Sequence, residues 1–422
     1  MRSSIPSNLN DRQVNRVEPS GYGYNGVDMA TLSYQTAGES HGPALIILVN
    51  GMPASVAIDY ELINGELRRR QGGYGRGGRQ HIETDTAEFL SGVRLDQTIG
   101  APIVMRIANR DSRLDDLEKT PRLHRPRPGH ADLAGSIKWL TTDCRETLER
   151  ASARETASRV AAGALARCLL GAFGIEVFGF VRGLGTSETH VEVTPDNWSA
   201  LVKARNDSDV YCPDEAASEQ MRQTIRQAKE DGDTVGGIVE THIFGCPPGL
   251  GTCANWFEKL DSRLAATVMG IQAFKGVEIG LGFEAARRPG SQVHDQIGFD
   301  ESRRNTASLG FTRLTNRAGG TEGGMTNGQP VIVRGAMKPI STLLKPLQSV
   351  DLNTREVSEA AYERSDVCAV SAASVVMENA IAFEVARAFV EKFGGDTMIE
   401  LRQNYDRFME LARQLPLPED LA

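Results

Sequence analysis

One stretch of the chain, residues 123–162, constrains the fold more than any other, because it joins a stiff cationic loop to an apolar helix. Its first part places Arg125, Arg127 and His130 on a loop with two interleaved prolines. Each proline fixes its own φ and biases the preceding residue away from helix. The sequence therefore predicts a pre-shaped cationic loop with a histidine on it.

The second part of this stretch has helical periodicity. Asp143 with Glu146 three residues later predicts a capping box, and an apolar stripe continues as far as Leu169. Arg150 and Arg154 are expected one turn apart on this helix, separated by small side chains that let a ligand approach the backbone. We predict an anion site beside a histidine; the alternative is that these arginines pair with nearby glutamates on a solvated helix face.

Composition limits the class of partner. The chain has 422 residues, 40% of them hydrophobic and 24% charged, which is typical of a globular protein with one large domain or several smaller ones. Its formal net charge of −8 argues against bulk binding to nucleic acid, which requires a basic surface. Any anion binding must therefore be local.

The six cysteines form no CxxC pair, which favours a reduced, cytoplasmic protein. His242, Cys246 and Cys253 match no familiar zinc spacing, so we expect no metal. Residues 1–28 are polar and predict a flexible tail without the apolar core of a signal peptide. The apolar run Ala44–Val49 is too short to span a membrane, and we expect no membrane association.

Two glycine-rich loops precede the central stretch. His41 lies in the first, ahead of strand Ala44–Val49, which is predicted to form a hairpin with a second strand at Ala54–Ile58. A helix over residues 60–70 leads into the second loop, and the twelve residues 68–79 contain five arginines together with several glycines. That segment could bind nucleic acid, but the structured sequence directly after it favours a folded loop that grips a phosphate.

Further elements follow with clear patterns. We predict strands near 103–107, 177–181, 238–244 and 329–334, helices at 214–230, 256–269 and 371–393, and a long ordered loop over 285–322. Arginine binds phosphate and carboxylate bidentately, and a histidine with a pKa near ~6.5 can protonate a leaving phosphate at neutral pH. The residue types alone thus indicate elimination or transfer of phosphate.

Seven segments resemble signature blocks of the chorismate synthase family. They are GESHG at 38–42, RRRQGGYGRGGRQHIETD at 68–85, RPRPGHAD at 125–132, ERASARETA at 149–157, GGMTNG at 323–328, KPIST at 338–342 and RSDVCAV at 364–370. They extend over nearly the whole chain, from about residue 31 to residue 395. The polar tail lies outside them.

This resemblance implies an α+β fold, a β-α-β sandwich with helices between antiparallel sheets, in a single catalytic domain over residues 29–422. It implies a lyase of aromatic amino acid biosynthesis that converts 5-enolpyruvylshikimate 3-phosphate to chorismate and phosphate by anti-1,4-elimination. The cofactor would be reduced FMN, with no net redox change. A cytoplasmic homotetramer is implied as well.

The resemblance also assigns residues. His41 would protonate reduced flavin, His130 the departing phosphate, and Asp366 would assist proton removal through flavin N5. The implied flavin contacts are Arg150, Ala151, Ser152, Gln272, Ala273, Gly323, Lys338, Pro339, Ile340, Ser341, Thr342 and Arg364. Arg70 and Arg76 would contact NADPH or the substrate phosphate.

Two other functions compete with this interpretation. Net charge and the lack of interleaved aromatic residues weigh against a nucleic-acid-binding protein, and intact His41, His130 and Asp366 weigh against a flavin-binding protein without catalysis. The chain carries no βαβ nucleotide fingerprint. We therefore expect a monofunctional enzyme that receives reduced flavin from an external flavin reductase, with NADPH as the external reductant.

Overall fold

The computed structural model describes residues 32–78, 82–363 and 366–418. The strands are β1 Ser33–Ala37, β2 Ala44–Asn50, β3 Glu88–Phe89, β4 Val93–Arg94, β5 Gln97–Thr98, β6 Ile103–Ala108, β7 Glu176–Leu184, β8 Ser187–Glu188, β9 Gly237–Phe244, β10 Phe274–Ile279, β11 Ile297–Phe299, β12 Phe311–Arg313, β13 Thr321–Glu322, β14 Met325–Thr326, β15 Val331–Met337, β16 Gln348–Val350 and β17 Val357–Glu359. The helices are α1 Tyr60–Gln71, α2 Asp132–Trp139, α3 Arg145–Ala151, α4 Thr156–Gly171, α5 Trp198–Asp207, α6 Glu215–Glu230, α7 Leu260–Met269, α8 Val370–Phe393 and α9 Met398–Arg413.

The first sheet has the strand order β1-β2-β6-β3 and is antiparallel. In β2, a central strand of this sheet, buried residues alternate with partly buried ones. Leu45, Ile47 and Val49 are fully buried, whereas the residues between them are only partly buried. One face of this sheet therefore lies on the core, as the period of two requires.

The predicted hairpin between Ala44–Val49 and Ala54–Ile58 is wrong. Both edges of β2 are occupied, by β1 and β6, so no edge remains for a third strand. Residues 54–58 instead form an irregular segment with isolated bridges from Ala54 to Thr397 and from Ala57 to Gln97; Val56 and Ile58 are buried, whereas Ser55 and Ala57 are exposed. Their apolar alternation reflects burial of the segment rather than pairing with β2.

The second sheet has the order β10-β15-β9-β7-β8 and is also antiparallel. Its central strands β7 and β9 have 9 and 8 residues, and most of these residues are buried. Strands whose two faces are both covered are expected to be this apolar.

Helices α1, α4 and α8 fill the space between the sheets. Helix α4 packs on β2 of the first sheet and β7 of the second, and α8 packs on β7, β9 and α4. Nearly every residue of α8 is buried, as expected for a helix with apolar residues on all sides. This layering confirms the predicted α+β sandwich of helices between antiparallel sheets.

Helices α4 and α8 approach each other most closely at Gly163. A Cβ atom at this position would lie 2.0 Å from the backbone oxygen of Asn379. Only glycine fits a contact this short, because the obstructing atom is backbone and cannot rotate away. The small residues of α4 thus let the two central helices pack backbone to backbone.

Several predicted elements are confirmed within a few residues, including the helices at 60–70, 214–230 and 371–393 and the strand at 238–244. The helix predicted from residue 256 begins only at Leu260, and the 285–322 loop contains the short β11–β12 ribbon. Within the described ranges, no helix combines the length and apolar character needed to cross a membrane.

We expect Gly163→Ala to destabilise the protein by about 1–3 kcal/mol, because the added methyl group clashes with α8. Gly171→Ala, in the last turn of the same helix, is the matched control. A Cβ at Gly171 meets nothing within 4 Å, so this change should be neutral or stabilise by about 0.5–1 kcal/mol. Urea unfolding of both variants measures the difference; a Gly163→Ala variant as stable as the parent would contradict the close crossing.

Candidate active site

A cavity of about 670 Å³ opens at one end of the central helices. Among the residues predicted from the sequence, those lining it are His41, Arg70, Arg76, His130, Ala151, Ser152, Gln272, Ala273, Lys338, Ile340, Ser341, Thr342 and Asp366. Arg154 and Ala369, which precede α4 and α8, line it too, so both helices direct their N-terminal ends toward the cavity. Helix N-termini carry partial positive charge, which favours an anionic ligand.

The predicted capping box and continuous helix over residues 143–169 are wrong. Helix α3 ends at Ala151, Ser152 is extended with ψ 142°, and a short 3₁₀ turn precedes α4. The Asp143 carboxylate accepts hydrogen bonds from the N–H groups of Arg145 and Leu123 instead of forming a capping box. The interruption presents Ala151 and Ser152 to the cavity.

Because the helix is interrupted, Arg150 and Arg154 are not stacked one turn apart. Arg150 is exposed, donates to the carbonyl oxygens of Thr36 at 2.9 Å and Gly38 at 3.1 Å, and is not part of the cavity lining. Arg154 is buried and donates to Asp85 at 2.6 Å. The alternative prediction, in which both arginines lie on a solvated helix face and pair with glutamates of the same helix, does not describe these contacts.

Arg70 and Arg154 share the buried carboxylate of Asp85, since Arg70 Nη2 lies 2.8 Å from Asp85 Oδ2. Burial alone would raise the pKa of Asp85, but these two guanidinium groups outweigh it and hold that pKa below its usual range. Desolvation lowers the pKa of Arg70. Glu83 Oε2 lies 3.8 Å from Arg154 Nη2, so this buried cluster contains two guanidinium groups and two carboxylates.

The lining as a whole is rich in cationic side chains, although the chain has a net charge of −8. The cationic residues are Arg70, Arg76, Arg127, Arg154, Lys275 and Lys338, and the acidic ones are Glu83, Glu363 and Asp366. Anion binding is therefore local, as the composition required.

His41 lies between two carboxylates. Its Nδ1 is 2.9 Å from Glu149 Oε1, its backbone N–H donates to Glu149 Oε2 at 2.8 Å, and its Nε2 is 3.6 Å from Asp111 Oδ2. Burial would raise the pKa of Glu149, but the hydrogen bonds from His41 lower it. Both ring nitrogens of His41 therefore face carboxylate oxygens at one side of the cavity.

His130 lies on the proline loop, held by a hydrogen bond from its backbone N–H to the carbonyl of Arg127 at 3.2 Å. Its Nδ1 contacts the carboxylate of Asp132. Arg127 Nη1 donates to Thr342 Oγ1 at 3.0 Å, which joins this loop to the KPIST segment. The histidine therefore lies at a junction of two cavity loops.

Asp366 forms an ion pair with Arg76 Nε at 2.7 Å and accepts a hydrogen bond from the N–H of Gly77 at 2.6 Å. The loop can approach this closely because Gly75 has a φ of +84°, and a Cβ there would lie 2.8 Å from Ile225. The arginine–glycine segment is thus a folded loop that reaches into the cavity, as the sequence favoured.

Gln272 and Ala273 supply a polar corner with features suited to a flat heterocycle. Gln272 Nε2 donates to Glu155 at 2.9 Å, while its buried Oε1 has no hydrogen-bond partner among the residues that the structure describes. Ala273 has a φ of +69°, and its carbonyl accepts the N–H of Lys338 at 2.9 Å. A buried acceptor without a partner is costly, so a ligand N–H that reaches it would be favoured.

Lys338 lies in the lining beside other cationic side chains. The pKa of Lys338 is lowered mainly by burial, and the neighbouring charges of Lys275 and Arg127 lower it further. Such repulsion between cations is relieved by a bound phosphate. Lys275 was missed from the sequence because a single lysine between glycine and phenylalanine carries no pattern.

Four predicted contacts are not in the lining, and one of them is Arg150, whose position is given above. Gly323 lies in the β13–β14 turn, and Pro339 lies between two lining residues without contributing to the cavity itself. Arg364 falls outside the described residues. Sequence reasoning also missed Asp132 and Glu149 as histidine partners; the spacing of Asp132 two residues after His130 could have suggested the first.

The expectation that His242, Cys246 and Cys253 hold no metal concerns a different region. His242 Nε2 contacts Glu240 at 2.7 Å on β9, and burial raises the pKa of Cys246 to about 12. No group of three or more metal-ligating side chains occurs within residues 32–78, 82–363 and 366–418.

Comparison with known proteins agrees with the blocks noted in the sequence. The family model for chorismate synthase matches residues 32–390. Chorismate synthase of Desulforamulus reducens is 52% identical over 395 residues, which covers 91% of this chain and 100% of that protein. Chorismate synthase of Geobacter metallireducens is 51% identical over 392 residues, 90% of this chain and 99% of that protein.

A crystal structure of chorismate synthase superimposes with a TM-score of 0.75 and 40% sequence identity. The match covers 92% of this chain and 100% of that one. With the family model, close relatives and a solved structure all matching over most of its length, this chain belongs to the chorismate synthase family.

Proposed function

We propose that the cavity converts 5-enolpyruvylshikimate 3-phosphate to chorismate and phosphate, the lyase reaction of this family in aromatic amino acid biosynthesis. The observation that carries the proposal is a cation-rich cavity in which two histidines each lie against a buried carboxylate. Phosphate and carboxylate groups of the substrate match the guanidinium groups, which bind both bidentately.

The reaction breaks two bonds and forms one double bond. Phosphate leaves with the electron pair of the C–O bond, and a ring C–H bond loses its hydrogen as a proton, so the ring gains a second carbon–carbon double bond without net oxidation. Positive character develops at the allylic carbon as phosphate departs. The protein must therefore receive an anion, protonate it and accept a proton.

Residues of the cavity fit these tasks. His130 protonates the departing phosphate, Arg70 and Arg76 hold the substrate phosphate or a phosphate of NADPH, and Asp366 assists proton removal. His41, flanked by Glu149 and Asp111, holds a proton at the cofactor side. The cationic wall stabilises phosphate as its charge increases.

We assign the binding of reduced FMN to the RAS triplet at 150–152, Gln272, Ala273, Gly323, the KPIST segment and Arg364. Most of the described residues in this set line the cavity, and the buried Oε1 of Gln272, which has no hydrogen-bond partner among the described residues, supports the assignment. When bound, reduced flavin supplies electron density that offsets the positive character of the substrate ring. Small side chains at the helix interruption leave room for a planar ring system.

The physical state of the protein is part of the proposal. One apolar core extends from Leu32 to Leu401, which supports a single catalytic unit over residues 29–422; the tail at 1–28 lies outside the described residues.

The exposed apolar side chains Ile297, Phe299 and Phe311 of the β11–β12 ribbon support a homotetramer, which light scattering would test. The six free cysteines support a cytoplasmic location, testable by cell fractionation.

Under anaerobic conditions, we expect chemically reduced FMN to give full chorismate formation, and oxidised FMN with NADPH to give almost none. We assign one flavin to the cavity and its reduction to an external reductase, so NADPH alone should not supply the reduced flavin that the reaction needs. Chorismate is measured by its absorbance. Sustained turnover of the purified protein with NADPH as the only reductant would contradict the monofunctional assignment, and no turnover with reduced FMN would contradict the function.

His130→Ala should lower kcat by about 10² to 10⁴ with FMN binding nearly intact, as expected when a general acid is lost. Single-turnover measurements with reduced FMN, together with flavin titration, separate the two effects. A variant with parental turnover between about pH 6 and pH 8 would exclude His130 as the acid.

Arg150→Ala should weaken FMN binding more than Arg76→Ala does. Arg150 ties the RAS triplet to two carbonyl groups of the β1 segment, so its loss loosens that part of the wall, whereas Arg76 is paired with Asp366 on the opposite loop. Fluorescence titrations of flavin into both variants provide the comparison. Equal losses of affinity would contradict the assignment of the triplet.

A further inference from the structure

We infer that Asp132 is a positioning residue: its carboxylate holds the Nδ1 proton of His130, so that the doubly protonated ring gives its Nε2 proton to the departing phosphate and is left neutral with its remaining proton on Nδ1. The inference rests on the proposed role of His130 as the general acid. It adds Asp132 as the residue that orients the His130 ring. Asp132 is the first residue of α2 and its side chain is 1% exposed. It therefore cannot reach substrate and acts only through its neighbours.

Three groups surround the Asp132 carboxylate. Arg127 Nε lies 2.9 Å from Oδ2, the backbone N–H of Arg127 donates to the same oxygen at 3.1 Å, and Arg127 Nη2 lies 3.2 Å from Oδ1. His130 Nδ1 contacts Oδ1 from the remaining side. Burial would raise the pKa of Asp132, but the hydrogen bonds from His130 and Arg127 hold it below its usual range, so the group is an ionised acceptor.

The contacts around His130 Nδ1 decide its protonation. Arg127 Nη2 lies 3.1 Å from Nδ1 and Asp132 Oδ1 lies closer. A guanidinium has only donors and an ionised carboxylate only acceptors, so both contacts cannot be hydrogen bonds of one nitrogen. If Nδ1 carried a lone pair, that lone pair would face a carboxylate; a proton on Nδ1 is therefore required, and Nη2 donates to Oδ1 instead.

The other ring nitrogen is free for chemistry. Within the described part of the chain, His130 Nε2 has no hydrogen-bond partner, and the ring lines the cavity with 21% of its side chain exposed. The bend that allows this lies at Gly129, whose φ is +76° and which faces Lys338 Nζ and Ser341. One turn thus brings Nδ1 to Asp132 and leaves Nε2 toward the cationic wall.

Asp132→Asn should lower kcat by about 10- to 1,000-fold with flavin affinity unchanged, because an amide can also offer N–H to Nδ1 and stabilise the wrong tautomer. A purely structural role would also lower kcat, so a cycle of variants is needed. In the His130→Ala background, Asp132→Asn should cost less than about 3-fold, since the ring through which it acts is gone. In the His41→Ala background its full effect should persist.

Nitrogen-15 NMR of the parent protein provides a readout that does not depend on how well the variants fold. The neutral His130 ring should carry its proton on Nδ1, and in Asp132→Asn the Nε2–H form should increase. Asp196→Asn, an exposed carboxylate outside the cavity, controls for loss of an acidic group and should leave both activity and spectrum unchanged.

The outcomes separate the two proposals. Parental activity of His130→Ala would show that His130 is not the general acid, which would overturn the proposed role on which the inference rests. Loss of activity in His130→Ala with parental activity in Asp132→Asn, or an undiminished effect of Asp132→Asn in the His130→Ala background, would overturn the role of Asp132 alone. A neutral parent ring protonated on Nε2 would overturn it as well.

Discussion

The contact between α4 and α8 at Gly163 is the constraint on which the rest of this fold depends. With a backbone oxygen 2.0 Å from where a Cβ would lie, the two helices pack closely enough for both sheets to close over them. The N-terminal ends of both helices lie on the same side of the sandwich, where Arg154 and Ala369 line the cavity. The segments before those ends, 149–155 and 366–369, are therefore brought to one cavity although more than 200 residues separate them along the chain.

The cavity illustrates how a chain with net negative charge can build an anion site. Its guanidinium groups are not left unpaired in the interior; each is balanced by a carboxylate behind the wall, such as Asp85 behind Arg70 and Arg154, and Asp132 behind Arg127. Full burial of lone cations would be prohibitively costly, and paired cations keep their orientation. The carboxylates also orient the histidines, so charge balance and proton placement depend on the same residues.

Long periodic elements could be predicted from the sequence, because burial imposes the pattern directly; α6 and α8 are examples. The segment at 54–58 was mispredicted because alternation records burial but does not identify the partner strand. The interruption at Ser152 was missed for a related reason: Ala, Ser and Ala fit a helix locally, and only the contact of Ser152 with Ser40 and the buried pair of Arg154 and Asp85 favour a break. Loop residues such as His41 and His130 can be singled out from the glycines and prolines beside them, whereas the contacts of Asp132 and Glu149 with these histidines require the structure.

The central layer also determines when the protein can become active during its synthesis. Helix α4 and the first sheet emerge from the ribosome early, but α8, which covers the apolar face of α4 and completes the cavity, comes from residues 370–393 near the C-terminal end. Contacts this distant in sequence form late and leave apolar surface uncovered in the meantime. A nascent chain therefore has no complete cavity and exposes apolar surface of α4 until translation is almost finished.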